Sequence, residues 1–184
     1  MALLKIARMG HPVLRRSAEK VHEPLAPEVQ GLVADMVETM EDAGGVGLAA
    51  PQVHESRRII VFRIPGARAG AGTGDGAVPL TALINPGFEP TDPRQDEGRE
   101  GCLSIPGLVG QVPRYRRIRY WGVGLDGRQI VREAADFHAR VVQHEIDHLD
   151  GVLYPERMVD LATLAFTSEI SRQAADDADT PTAA

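Results

Sequence analysis

His144, Glu145 and His148 stand in the order H-E-x-x-H, inside Gln143-His144-Glu145-Ile146-Asp147-His148-Leu149-Asp150-Gly151. On a helix, residues four apart share a face with Cβ atoms roughly 5–6 Å apart, so two imidazoles at this spacing can reach one metal ion. Glu145 follows His144 directly and is rotated away from the pair, toward a water on the open side of such an ion. Two nitrogen ligands and a carboxylate that moves protons are the parts of a metal-assisted hydrolase. The competing reading, a surface helix with two solvated histidines, requires these residue types to meet at this spacing by chance.

The third ligand decides which hydrolase this is. A histidine just downstream, as in H-E-x-x-H-x-x-G-x-x-H, is excluded because Tyr154 occupies its place. A glutamate on a following helix would make a His-His-Glu zinc site of the thermolysin-like kind, and Glu169 lies at a tolerable distance. Cys102 would give a Cys-His-His set plus water. A lone cysteine is more often a small buried hydrophobe. Here Gly101 and polar neighbours flank it, and a metal would keep its sulfur deprotonated.

The elements that must position these groups are legible in outline. The chain has 184 residues, enough for one domain with an adequate core, here residues 1–173. Its formal net charge is -6, which advertises no direct nucleic-acid binding. One cysteine excludes an internal disulfide and fits a reducing cytoplasm. No apolar run is long enough for a signal peptide or a membrane span. Val29, Leu32, Val33, Met36, Val37 and Met40 recur at helical spacing, with Pro27 near the start and Gly44-Gly45 at the end. Gly45 to Gln52 reads as a tight turn into a strand, with Gln52 its only side-chain amide. Arg57 to Ile64 reads as a buried strand, and Leu80 to Ile84 as a second one closed by Asn85-Pro86. Between them, the Gly- and Ala-rich stretch 65–79 reads as a surface loop that lacks the Lys-Ser/Thr ending of a phosphate loop.

An acidic, Pro-bearing loop leads to Glu100, and Gly101 is expected to let the backbone turn tightly. Gln111 to Arg132 turns to β-structure, with a hairpin at Leu125-Asp126-Gly127-Arg128. The histidine helix is expected to begin at Asp136 as N-cap. Phe137, Val141, His144 and His148 then fall at i, i+4, i+7 and i+11, so a metal would sit at the end of a groove walled by Phe137 and Val141. Val142 and Leu149 point to the core. Leu161, Leu164, Ala165 and Ile170 suggest a last helix, and 174–184 reads as a frayed acidic tail.

Three ordered motifs carry a resemblance to the peptide deformylases: Gly45-Val46-Gly47-Leu48-Ala49-Ala50-Pro51-Gln52, Glu100-Gly101-Cys102-Leu103-Ser104, and Gln143 to Gly151. The fold this implies is α+β, with antiparallel sheets around a central metal-bearing helix and with N-terminal and C-terminal helices. It implies that Cys102, His144 and His148 hold one divalent metal, typically Fe2+, with Zn2+, Ni2+ or Co2+ able to occupy the site. It implies Glu145 as proton shuttle, with the Gln52 amide and the Leu103 N–H as donors to the oxyanion. Val46, Leu103, Phe137 and Val141 would line a methionine pocket, and backbone groups of Val46, Gly47 and Gly101 would pair with an extended substrate. The substrates would be N-formylmethionyl peptides and nascent chains, with formate released. An alternative is a deformylase-like protein acting on another N-acyl group. Two departures stand out. The segment Ile105 to Val109 lacks the arginine many bacterial relatives carry near the substrate entrance. The acidic tail argues against ribosome docking through the C-terminus.

Overall fold

The computed structural model describes residues 2–66 and 76–170. Helix α1 (Pro27–Asp42) starts with proline at its first turn, where a missing N–H is harmless. It buries Val29, Val33, Met36 and Met40. Strands β1 (Gly47–Ala49), β2 (Ile59–Ile64), β3 (Val78–Pro90), β6 (Arg117–Val123) and β7 (Gln129–Ala135) form an antiparallel sheet in the order β1-β2-β3-β6-β7. Strands β4 (Gln95–Cys102), β5 (Ile105–Tyr115) and β8 (Ala165–Phe166) form a second antiparallel sheet. Helix α2 (Asp136–Leu149) carries the H-E-x-x-H residues.

The apolar run Ile59-Ile60-Val61-Phe62 of β2 is explained by burial on both faces. Ile60, Phe62 and Ile64 join a cluster with Ala139, Val142, Ile146 and Leu149 of α2. Ile59 and Val61 join Met36 and Met40 of α1 in another. The first sheet thus lies between the two helices, and each fully buried Leu, Ile or Phe stabilises by about 1.5–3 kcal/mol. The opposite side of α2 is polar and meets β4 and β5. Gln143 is the tie there: its amide nitrogen donates to Tyr115 O (2.9 Å) and its oxygen accepts from Tyr115 N (3.0 Å).

Gly151 closes α2 with φ +75°, and Val152 N donates back to Asp147 O at 2.9 Å. A Cβ on Gly151 would also lie 2.8 Å from Arg15 C and 2.9 Å from Arg16 N, so the amino-terminal segment crosses where only glycine leaves room.

Several local expectations are corrected. Asp136 is not the cap of α2: Ala135 precedes the helix, Asp136 has φ +50°, and its carboxylate accepts from Arg116 Nε (3.1 Å). Asn85-Pro86 does not end its strand. The pair forms a bulge inside β3, where a proline's missing N–H is tolerated. Asn85 takes φ +52° there, and its side chain brackets Val21 N and O. The acidic run before Glu100 is β4 and not a loop. Gly101 lies within β4, paired with Val109, and the turn falls two residues later at Leu103-Ser104. The segment from Leu161 is a short 3-10 turn followed by β8, because pairing of Phe166 with Leu108 outweighs helix propensity. Helical structure resumes at Thr167 and continues to Ile170. Positions 67–75 of the Gly/Ala-rich stretch, and the 174–184 tail, lie outside the described residues.

Candidate active site

Cys102 arrives at the end of β4 and the two histidines come from α2. One ligand atom from each of Cys102, His144 and His148 lies within 4.8 Å of the others. Cys102 Sγ is 3.2 Å from His148 Nε2. Among the described residues this is the one group of three or more metal-ligating side chains, and Glu169 is exposed and outside it.

Burial opposes charge on the Cys102 thiol, yet the nearby His148 and His144 hold it well below its ordinary value. Ser104 N and Gln52 Nε2 also donate to the sulfur, each at 3.4 Å. Burial opposes charge on His144 too, but its partners Cys102 and Glu100 raise it well above the ordinary imidazole value. Glu100 Oε2 lies 2.8 Å from His144 Nδ1, which fixes the ring and leaves Nε2 facing the cysteine side. The Tyr154 ring stacks on His144 with centroids 6.3 Å apart, and burial pushes its hydroxyl up to about 12.

Glu145 is buried beside the three. Desolvation lifts its carboxyl from 4.5 to about 7, a value suited to exchanging protons near neutrality. Its Oε2 and His148 Nδ1 are buried without a hydrogen-bond partner among the described residues. An orphaned carboxylate oxygen beside a thiolate and two imidazoles is the environment a divalent ion with a water would complete.

A cavity of about 580 Å³ opens from this cluster. Val46, Gly47, Gly101, Leu103, Phe137 and Val141 all line it, as their expected roles require. Gln52 is buried beside Cys102, with Oε1 accepting from Ala49 N (2.8 Å) and Nε2 directed at Ser104 Oγ (3.2 Å) and Cys102 Sγ (3.4 Å). Two exposed cations on the cavity wall, Arg8 and Arg99, were not anticipated, and they stand at the mouth although Ile105 to Val109 lacks a basic residue.

Sequence reasoning also missed the buried ionic chain behind the ligands. Arg114 forks onto Glu100 through Nε (2.9 Å) and Nη2 (3.0 Å), and reaches Asp147 through Nη1 (2.5 Å). Arg157 covers the other side of Asp147 at 2.8 Å. Burial raises the cost of ionising Glu100, but hydrogen bonds from His144 and Arg114 hold it well below its ordinary value. The one available signal was the presence of acids inside two motifs, Glu100 before the cysteine and Asp147 before His148.

The polypeptide deformylase profile matches residues 3–163. The chain belongs to the peptide deformylase family. Peptide deformylase 1 of Bordetella pertussis is 49% identical over 168 residues, 88% of this chain and 91% of that one. Peptide deformylase 1 of Xanthomonas campestris is 49% identical over 173 residues, covering 91% and 96%. Among solved structures, a Met-Ala-Ser-bound class I type b peptide deformylase from Acinetobacter baumannii superposes with a TM-score of 0.76. It is 32% identical and covers 85% of this chain and 99% of that one. Peptide deformylase from Ehrlichia chaffeensis gives 0.79 at 26% identity, with both chains fully covered. The α+β expectation holds, and the deformylase is an enzyme that removes N-formyl groups from peptides. The thermolysin-like alternative through Glu169 is not favoured. Metal dependence goes with the family and with the Cys-His-His group.

Proposed function

We propose that Cys102, His144 and His148 hold one divalent ion, ferrous iron in the cell, and that Glu145 carries protons for hydrolysis of N-formylmethionyl peptides. The observation that carries this reading is the meeting of three ligand atoms within 4.8 Å beside a buried carboxylate and at the foot of a cavity. Zinc, nickel or cobalt would suit the same donors. When bound, such an ion lowers the pKa of water toward ~7 and polarises the formyl oxygen.

The protein's own groups account for the rest. Glu145 takes a proton from the attacking water and delivers it to the departing peptide amine, so one carboxylate serves as base and then as acid. The Gln52 amide and the Leu103 N–H donate to the formyl oxygen as negative charge builds there. Val46, Leu103, Phe137 and Val141 surround the methionine side chain, whose unbranched thioether suits an apolar slot. β1 and β4 are both edge strands. The Val46 carbonyl already accepts from Arg63 N (2.9 Å), and the other backbone groups of Val46, Gly47 and Gly101 would pair with an extended peptide, as in β-strand addition. Formate leaves and the peptide amine is freed.

Residues 1–173 act as one catalytic domain, working on nascent or newly released chains in the cytoplasm, without docking through the acidic tail. Among the described residues, no helix is long and apolar enough to cross a membrane. The test is anaerobic purification with metal analysis, together with formate release from formyl-Met-Ala-Ser. One iron per chain and rapid turnover are expected. Formate release that persists after complete metal removal would overturn the reading.

A further inference from the structure

His144 is oriented by Glu100, so whatever fixes Glu100 also sets the ring. Arg114 accounts for two bonds to that carboxylate. A third comes from Arg140, which lies outside the three motifs and one helical turn ahead of His144 on α2. Arg140 Nη1 shares its two N–H groups among Glu100 Oε1 (2.8 Å), Val112 O (2.6 Å) and Gly98 O (3.2 Å), while Nη2 donates to Asp96 O (2.7 Å). One guanidinium therefore joins α2 to β4, to β5 and to the carboxylate that holds His144.

The strand is shaped to receive it. A Cβ on Gly98 would lie 2.7 Å from Arg140 Nη2 and 2.8 Å from Cζ, so the guanidinium rests against bare backbone. Arg140 also borders the cavity, but these four donated bonds all run to the protein, which leaves it poorly placed to serve a peptide.

We propose that Arg140 is a positioning residue of the metal centre, locking the Glu100 carboxylate and the spacing between β4 and α2 so that His144 and Cys102 meet one ion. This rests on the metal reading given above. Arg114 alone would keep Glu100 ionised. It also ties β4 to α2 through Asp147, about one turn beyond His144, and Arg140 adds the tie one turn ahead of it, so the two together set where the thiolate on one meets the imidazoles on the other.

The test uses R140M, which keeps the apolar stem without donors, R140K, which keeps a cation, and G98A, which displaces the guanidinium without removing it. H148A is the control for the site itself. The readouts are the metal dissociation constant by chelator competition, the visible spectrum of cobalt-loaded protein, and kcat and KM for a formyl-Met peptide. R140M should weaken metal binding about 10–100-fold, the usual effect of losing a group behind a ligand. KM should be unchanged, the cobalt spectrum altered, R140K intermediate, and G98A shifted the same way as R140M. If R140M binds metal like the parent while H148A loses it, the Arg140 role is overturned and the metal reading stands. If H148A keeps its metal, the metal reading falls and takes this inference with it. A raised KM with unchanged metal affinity would make Arg140 a substrate contact and overturn the proposal. Should R140M fail to fold, R140K and G98A decide the matter, and parent-like metal affinity in both overturns it.

Discussion

Gly47 and Glu145 touch in a way no larger residue would allow. A Cβ on Gly47 would lie 2.7 Å from the Glu145 carboxyl carbon and 2.9 Å from its Cγ, with Oε1 closer still. The glycine of β1 is thus the wall against which the buried carboxylate rests. Gly47→Ala should push that group off its position. A misplacement of about 1 Å costs on the order of 10² in rate, so formate release should fall by about that factor. Metal content should be normal, because the ligands lie on other strands and faces. A Gly47→Ala enzyme of parental activity would show that Glu145 has room to spare.

Gln52 offers its amide nitrogen to Cys102 Sγ and Ser104 Oγ from a buried seat. Gln52→Leu removes a donor near developing charge, and kcat should fall about 10²–10³-fold. Metal stoichiometry, measured on the same preparation, should stay at the parental level. Equal turnover in variant and parent would take Gln52 out of the mechanism.

Glu145→Gln and His148→Ala should part company. The neutral amide cannot accept a proton, so deformylation should drop at least about 10²–10⁴-fold while metal and thermal midpoint persist. His148→Ala should lose metal and stability together, because binding and folding are linked. A metal-free Glu145→Gln protein would make the carboxylate structural.

The residues of the site were legible because its chemistry uses rare types at fixed spacing. His144, Glu145 and His148 needed only helical geometry, and α2 supplied it. The third ligand was not legible from spacing, since Cys102 is 46 residues from His148 and no local period joins them. What stayed hidden was the bracing. Nothing local in the sequence marks Arg114 and Arg140 apart from the chain's other arginines, and only tertiary packing turns them inward onto Glu100. The apolar runs of α1 and β2 gave those elements correctly. Leu161 to Ala165 misled because a two-residue edge pairing can override a helical pattern, and Asn85-Pro86 because a bulge absorbs what usually ends a strand.

Arg114 bridges two buried carboxylates, Glu100 and Asp147. Arg114→Met would strip a counter-charge from both at once. Breaking a buried pair by removing one partner costs about 3–5 kcal/mol. Denaturant unfolding of the metal-free protein should show a loss of this size, and a loss below ~1 kcal/mol would mean that Arg140 and Arg157 neutralise the acids unaided.

Arg8 and Arg99 border the cavity with exposed side chains. Formyl-Met peptides with an aspartate downstream should be preferred over those with a lysine, by about fivefold in kcat/KM, the equivalent of ~1 kcal/mol for exposed charges. Arg99→Gln should reduce that preference, and high salt should erase it. Equal rates for both peptides at low ionic strength would remove the two arginines from substrate choice.

The partners that build this centre are far apart along the chain. Cys102 meets His148 across 46 positions, Gln52 meets Cys102 across 50, and Glu100 meets His144 across 44. Ala7 N bonds Gln52 O and Met9 N bonds Ser104 O, so the amino-terminal segment spans two of the motifs. Each such closure carries an entropic toll that only the completed architecture repays. A peptide of α2 alone would own two imidazoles yet neither the thiolate nor the acid that steadies one of them. The centre should therefore appear late and all at once during folding, when β4 and α2 dock.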